Sequence, residues 1–214
     1  MAHRVFDLLR ADYQSVYAQP FIADSGYRQR SPECPACHEF DTELISPVVI
    51  QWEPGSDLVA DFTWPVGLGE IIVTQRVRDY LDESTVTSVT FRPVEMTEDP
   101  KAKRSSRKRR RAEPQVQLPY EGPPLWHLQV TSEAKLDLKA SQRTLFQKCA
   151  ACGREIWDAP RRAPQVVMRS SWDGAEFFRI REVGEVIFVV ERVRDLLQSR
   201  DFTNVRLTER GRIE

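Results

Sequence analysis

The sequence predicts an α+β fold of two pseudo-repeats, each a CxxC knuckle followed by antiparallel strands and one short helix. Three observations carry that expectation. The four cysteines form two pairs, Cys34-Pro35-Ala36-Cys37 and Cys149-Ala150-Ala151-Cys152. The segments after them correspond. At an offset of 115, Cys34, Cys37, Gly69 and Glu70 fall on Cys149, Cys152, Gly184 and Glu185; one inserted residue later, residues 76–81 fall on 192–197. Both segments also switch from a strand-length apolar run to helical spacing at the same point.

Taken in order, residues 1–96 read as the N-terminal repeat with the first cysteine pair, 97–124 as a basic Pro/Ser-rich linker, and 125–214 as the C-terminal repeat with the second pair. After each knuckle a turn signal, Glu53-Pro54-Gly55 and Trp172-Asp173-Gly174, predicts a hairpin. The runs 70–73 and 185–190 each follow a glycine and read as buried strands. A short helix follows each. Val77, Tyr80 and Leu81, and likewise Val193, Leu196 and Leu197, sit at i, i+3, i+4 and share one face. Residues 86–91 and 202–207 then alternate as half-buried strands.

Composition bounds the class. At 214 residues, 41% apolar and 29% charged, the chain can bury a sizeable core. Residues 1–10 mix charged and apolar side chains, unlike a secretion signal, and no apolar run reaches membrane-spanning length. The expected location is cytoplasmic, with no membrane partner. Thiols there stay reduced, so paired CxxC motifs point to metal before disulfides.

The net charge of −1 hides an asymmetry. Residues 101–113 hold eight basic side chains and one acidic, while residues 31–75 hold eight acidic residues and no Lys or Arg. The basic run reads as a solvated linker; as a functional element, 101–111 would neutralise phosphates of a nucleic acid.

Four thiolates suit one tetrahedral zinc ion, so Cys34, Cys37, Cys149 and Cys152 are the candidate ligands of one structural Zn2+ per chain. The 111 intervening residues are no obstacle. Closing so long a loop costs only about 1.8 kcal/mol more than a 15-residue one, against about 10–16 kcal/mol of apparent zinc affinity in small metal domains. Three alternatives stand beside the shared site. Each pair could recruit local groups, His38 and Asp41 for the first and Asp158 for the second. Residues 34–38 also spell the CxxCH haem-attachment pattern. Redox-active or plainly buried thiols are the third. No histidine sits in a catalytic motif, and the chain reads as a non-enzyme. Trp64, within the acidic stretch, is the candidate interface anchor.

The two cysteine motifs, the segment 172–178 and the stretch Val186-Ile-Phe-Val-Val-Glu-Arg-Val-Arg-Asp195 together resemble the double-CXXCG motif paralogue family of myxobacteria. The likeness spans most of the chain outside 97–124, although His38 stands where the first motif would end in Gly. Members of that family include immunity proteins that protect a cell from a toxin delivered by its kin. The resemblance implies an immunity protein that binds and neutralises a cognate toxin. The acidic stretch suggests a toxin with a basic cleft, such as a nuclease, met by Glu53, Asp57, Asp61 and Trp64. The alternative is a zinc-ribbon nucleic-acid-binding protein acting through the basic linker.

Overall fold

The computed structural model describes residues 3–11, 16–66, 69–98, 113–160 and 163–214. The basic run 101–111 therefore lies outside the described residues. Strands dominate: β1 (His3–Arg10), β2 (Pro20–Asp24), β3 (Tyr27–Gln29), β4 (Thr42–Leu44), β5 (Val49–Trp52), β6 (Phe62–Thr63) and β7 (Ile71–Thr74) precede helix α1 (Gln75–Glu83). Then come β8 (Val89–Pro93), β9 (Glu95–Met96), β10 (Leu125–Val130), β11 (Glu133–Ala134), β12 (Thr144–Lys148), β13 (Glu155–Asp158), β14 (Gln165–Val167), β15 (Phe177–Ile180) and β16 (Ile187–Val190). Helix α2 (Glu191–Gln198) and β17 (Val205–Ile213) close the chain.

A six-stranded sheet runs β11-β15-β16-β1-β17-β14, and a four-stranded sheet runs β6-β7-β10-β8. The opening strand of each sequence half lies in the other half's sheet. β1 is inserted antiparallel between β16 and β17, with Phe6 opposite Val189 and Glu209. β10 is inserted antiparallel between β7 and β8, with Trp126 opposite Val73 and Pro93. Apolar residues on both strand faces suit these central positions: Val5, Phe6 and Leu8 of β1 and Leu125 and Leu128 of β10 are buried.

Both short helices form where their spacing predicts. α1 buries Val77 and Leu81 and packs on β7 and β10; α2 buries Val193 and Leu197 and packs on β16 and β1. The Arg78 guanidinium lies 3.8 Å from the centre of the Trp126 ring, and that of Arg194 lies 4.6 Å from the Phe6 ring. One apolar cluster joins the two halves, containing Phe62, Ile71, Val73 and Leu128 together with Phe177, Phe178, Phe188 and Ile213. A smaller one gathers Val48, Ile50, Trp52 and Leu125.

Polar clamps also cross between the halves. The Asp61 carboxylate accepts from the Thr203 backbone N–H at 2.9 Å and from Arg76 at 3.1 Å. The Glu176 carboxylate accepts from the Thr87 N–H at 3.1 Å and from Arg192 at 2.5 Å.

The two proline- or glycine-marked turns do not close hairpins. Gly55 and Gly174 take positive φ of 137° and 91° as turn residues. Yet β5, before the first turn, pairs with β2 and β9, and the strands flanking the second turn, β14 and β15, lie at separate places in the six-stranded sheet. The turn chemistry was real; pairing is set by apolar faces far apart in sequence. Among the described residues no helix is long and apolar enough to cross a membrane.

Candidate metal centre

Each cysteine pair lies between two short paired strands. β3 and β4 pair antiparallel with residues 30–41 between them; β12 and β13 pair antiparallel with residues 149–154 at their tip. The chain must reverse tightly at each tip, and both tips do so in the same way. The His38 N–H donates to Cys34 C=O, and the Gly153 N–H to Cys149 C=O, both at 2.9 Å. The Cys34 N–H donates to Glu39 C=O and the Cys149 N–H to Arg154 C=O, again both at 2.9 Å. That reversal needs a left-handed residue. Gly153 supplies it at φ 75°, and His38 adopts it at φ 59° despite its side chain. The His-for-Gly departure in the first motif thus leaves the knuckle geometry intact.

The two tips meet. Cys34 Sγ lies 3.6 Å from Cys149 Sγ, Cys37 Sγ lies 3.6 Å from Cys152 Sγ, and all four sulfurs fall within 4.8 Å of one another. A disulfide needs about 2.05 Å, and all four thiols are free. Four sulfurs about 2.3 Å from a central ion form a tetrahedron with edges of about 3.8 Å. The two 3.6 Å spacings lie close to that figure, and the four cysteines are positioned to hold one metal ion, compatible with a single structural zinc.

Thiol acidity fits the same reading. Backbone N–H groups of Cys152 and Ala151 aimed at its sulfur draw Cys149 down to about 6, and those of Ala36 and Cys37 lower Cys34. For Cys37 the Glu39 N–H acts in the same sense, but loss of solvent and the thiols of Cys34, Cys152 and Cys149 outweigh it and push the group up to about 12. Crowded sulfurs cannot all ionise against one another. A divalent cation at their centre would offset that repulsion and let all four act as thiolates.

The groups proposed for separate local sites are engaged elsewhere. His38 Nδ1 faces Glu33 at 2.6 Å, Asp41 accepts from Arg154 at 3.4 Å, and Asp158 accepts from the Ala159 N–H at 2.8 Å. Among the described residues, the four sulfurs alone make up the candidate ligand cluster.

Five of the eight acidic residues of the stretch have side-chain partners, although only Arg154 and Arg76 bring a fixed positive charge. His38 takes Glu33, Arg154 takes Glu39 and Asp41, Arg76 takes Asp61, and His127 takes Glu70. Glu43, Glu53 and Asp57 remain exposed. The proposed contact set is therefore divided. Glu53 and Asp57 are on the surface, whereas Asp61 is only 8% exposed and Trp64 is half-buried, stacked on Phe62 with 6.0 Å between rings. Asp61 is internal because its carboxylate also accepts from the Thr74 hydroxyl at 2.9 Å. We expect Asp61→Lys to destabilise the fold by about 2–4 kcal/mol, since it strands these donors; a shift in the urea midpoint measures this.

A second buried polar group escaped the sequence reading. His127, fully buried on β10, hydrogen-bonds through Nε2 to Glu70, whose other oxygen accepts from the Tyr27 hydroxyl at 2.9 Å. The chain of contacts ties β3, the root of the first cysteine hairpin, to the four-stranded sheet. Burial raises the Glu70 carboxyl, but the bonds and charge of His127 and the Tyr27 hydroxyl outweigh it and hold it below its ordinary range. Burial and the adjacent Glu70 charge raise Tyr27. The only sequence signal was the alignment of Glu70 beside a strand; nothing local linked it to His127.

No protein-family model matches the chain, and no curated protein matches it significantly.

Proposed function

We propose that this chain is a cytoplasmic immunity protein that binds and neutralises a cognate antibacterial toxin, held together by one structural zinc. The observation that carries the reading is the sequence resemblance to the double-CXXCG family, whose two cysteine motifs here converge on one site at 3.6 Å. The zinc has no catalytic part in this proposal. Bound to four thiolates, it would supply a rigid cross-link between two hairpins 111 residues apart.

The two halves are, on this reading, copies of one unit related by a pseudo-twofold axis through the metal. The reciprocal strand insertion supports it, because the partners of Phe6, Val189 and Glu209, stand at the same offset of 116 from the partners of Trp126, Val73 and Pro93. So do the exchanged clamps: Asp61 with Arg76 and Thr203 has its counterpart in Glu176 with Arg192 and Thr87. Ser88 and Asn204, equivalent positions, both take left-handed φ, 65° and 58°.

Survival of a host expressing the toxin encoded beside this gene, with and without this chain, tests the reading. Rescue with co-purification supports it, and a lethal toxin neither bound nor relieved refutes it. Reversing Glu53 and Asp57 to Lys should slow association at low salt if the toxin presents a basic cleft. Deleting 101–111 should leave protection intact, whereas a nucleic-acid-binding protein acting through that run would lose its affinity.

A further inference from the structure

We propose that the metal centre is a redox-convertible cross-link: on exposure to peroxide, Cys37 and Cys152, one from each hairpin, join as a disulfide, and the chain exchanges its metal for that bond. The inference rests on the shared four-sulfur centre and is independent of the toxin.

The four sulfurs are not equivalent. Cys34 and Cys149 are 7% and 8% exposed, whereas Cys37 is half-buried and Cys152 is exposed. Each hairpin thus keeps its first cysteine inside and shows its second. A cleft of about 600 Å3, lined by Cys152 together with Cys34, Phe40, Ala151 and Arg154, gives a small oxidant access to the tip. Backbone contacts sort the sulfurs in the same way. Those of Cys34 and Cys149 are each held by two backbone N–H groups, from Ala36 and Cys37 and from Ala151 and Cys152. Cys37 takes one, from Glu39. A disulfide within either motif, Cys34 to Cys37 or Cys149 to Cys152, would have to draw an inner sulfur away from its two donors. The outer pair crosses between the hairpins instead. Cys37 Sγ already lies 3.6 Å from Cys152 Sγ and has only about 1.5 Å to close before bonding.

The exchange balances. The Cys152 thiolate attacks one oxygen of hydrogen peroxide; an S–O bond forms, the O–O bond breaks and hydroxide leaves. The Cys37 thiolate then attacks the sulfenic sulfur; the S–S bond forms and the S–O bond breaks with loss of a second hydroxide. Each thiolate has given up one electron to the peroxide. Cys34 and Cys149 alone are too few ligands to keep a structural zinc, and they take up protons as it is lost. An external dithiol reverses the change by thiol–disulfide exchange, leaving as its own disulfide, and restores the set of four thiolates. The new bond ties the first hairpin to the second, so the two tips stay joined in both states.

The test uses the full chain, isolated with its metal in reducing buffer, freed of reductant, treated with stoichiometric hydrogen peroxide and then alkylated. Trypsin cuts after Lys148 and Arg154 but nowhere between residues 31 and 75, so each motif stays within one peptide. The expected result is release of zinc in step with loss of two of the four thiols. The two peptides should then be joined, with alkyl groups on Cys34 and Cys149. Hydrogen exchange gives a second readout that needs no substitution. β3–β4 and β12–β13 should keep their protection in the oxidised chain and lose it when a chelator strips the metal from the reduced chain. Separate peptides carrying disulfides within each motif, sulfinic acid in place of a disulfide, or chains joined to one another overturn the proposal. So do hairpins as unprotected after oxidation as after chelation, and thiols that survive peroxide at concentrations that oxidise free cysteine. A chain isolated without metal is a different failure: it refutes the shared metal centre itself.

Discussion

Cys149→Ser is expected to abolish stoichiometric metal binding and to release both cysteine hairpins while leaving the two large sheets folded. The hairpins bury little of their own. β12 is exposed along its whole length, and β3–β4 and β12–β13 are sheets of two strands each. Such ribbons are marginal in water without further support. Here an ion held by the four sulfurs would provide it. The large apolar cluster around Phe177, Phe178 and Phe188 needs no metal to close. Losing one of four thiolates should therefore remove hydrogen-exchange protection from the β3–β4 and β12–β13 ribbons first. A loss of about 3 kcal/mol would lower the thermal midpoint by about 6–12 °C in a chain of this size. A metal-free variant with wild-type midpoint and protected hairpins would contradict the structural role of the site.

Glu70→Ala should be the most damaging substitution away from the cysteines. It strands His127, which is fully buried, and removes the acceptor of the Tyr27 hydroxyl. Breaking a buried pair of this kind costs about 3–5 kcal/mol, or about 6–20 °C in thermal midpoint. The same contact predicts acid sensitivity. Because the folded Glu70 carboxyl is held below its ordinary range, its contribution is complete above the unfolded value of about 4.3 and disappears as pH falls through the depressed folded value. Between pH 5 and pH 3, written as approximate bounds about that unfolded value, wild type should lose more stability than Glu70→Gln. Parallel curves for the two proteins in urea titrations would show that Glu70 is not the group responsible.

The sequence was most informative where chemistry is local. CxxC spacing carried the cysteine knuckles, and the i, i+3, i+4 spacing of Val77 and Leu81, or Val193 and Leu197, carried both helices to within a residue or two. Long-range pairing was not legible. β1 was unassigned because its partners, β16 and β17, lie in the other half of the chain, and a strand with Val5, Phe6, Asp7 and Leu8 all buried lacks the alternation that marks a strand in sequence. The acidic stretch misled for a related reason. Asp61 and Glu70 counted as surface charge until Thr203 and His127, from the other half of the chain, closed on them. The four-sulfur cluster itself was legible in its members, since two CxxC pairs are a strong donor pattern, but that the two tips meet depends on the reciprocal insertion of β1 and β10.

Native mass spectrometry of the purified chain joined to zinc-edge X-ray absorption tests the shared centre most directly. One zinc per chain in a shell of four sulfurs at about 2.3 Å is the expected result. Two metal ions per chain, or a shell containing nitrogen or oxygen from protein side chains, would contradict a single site shared by Cys34, Cys37, Cys149 and Cys152.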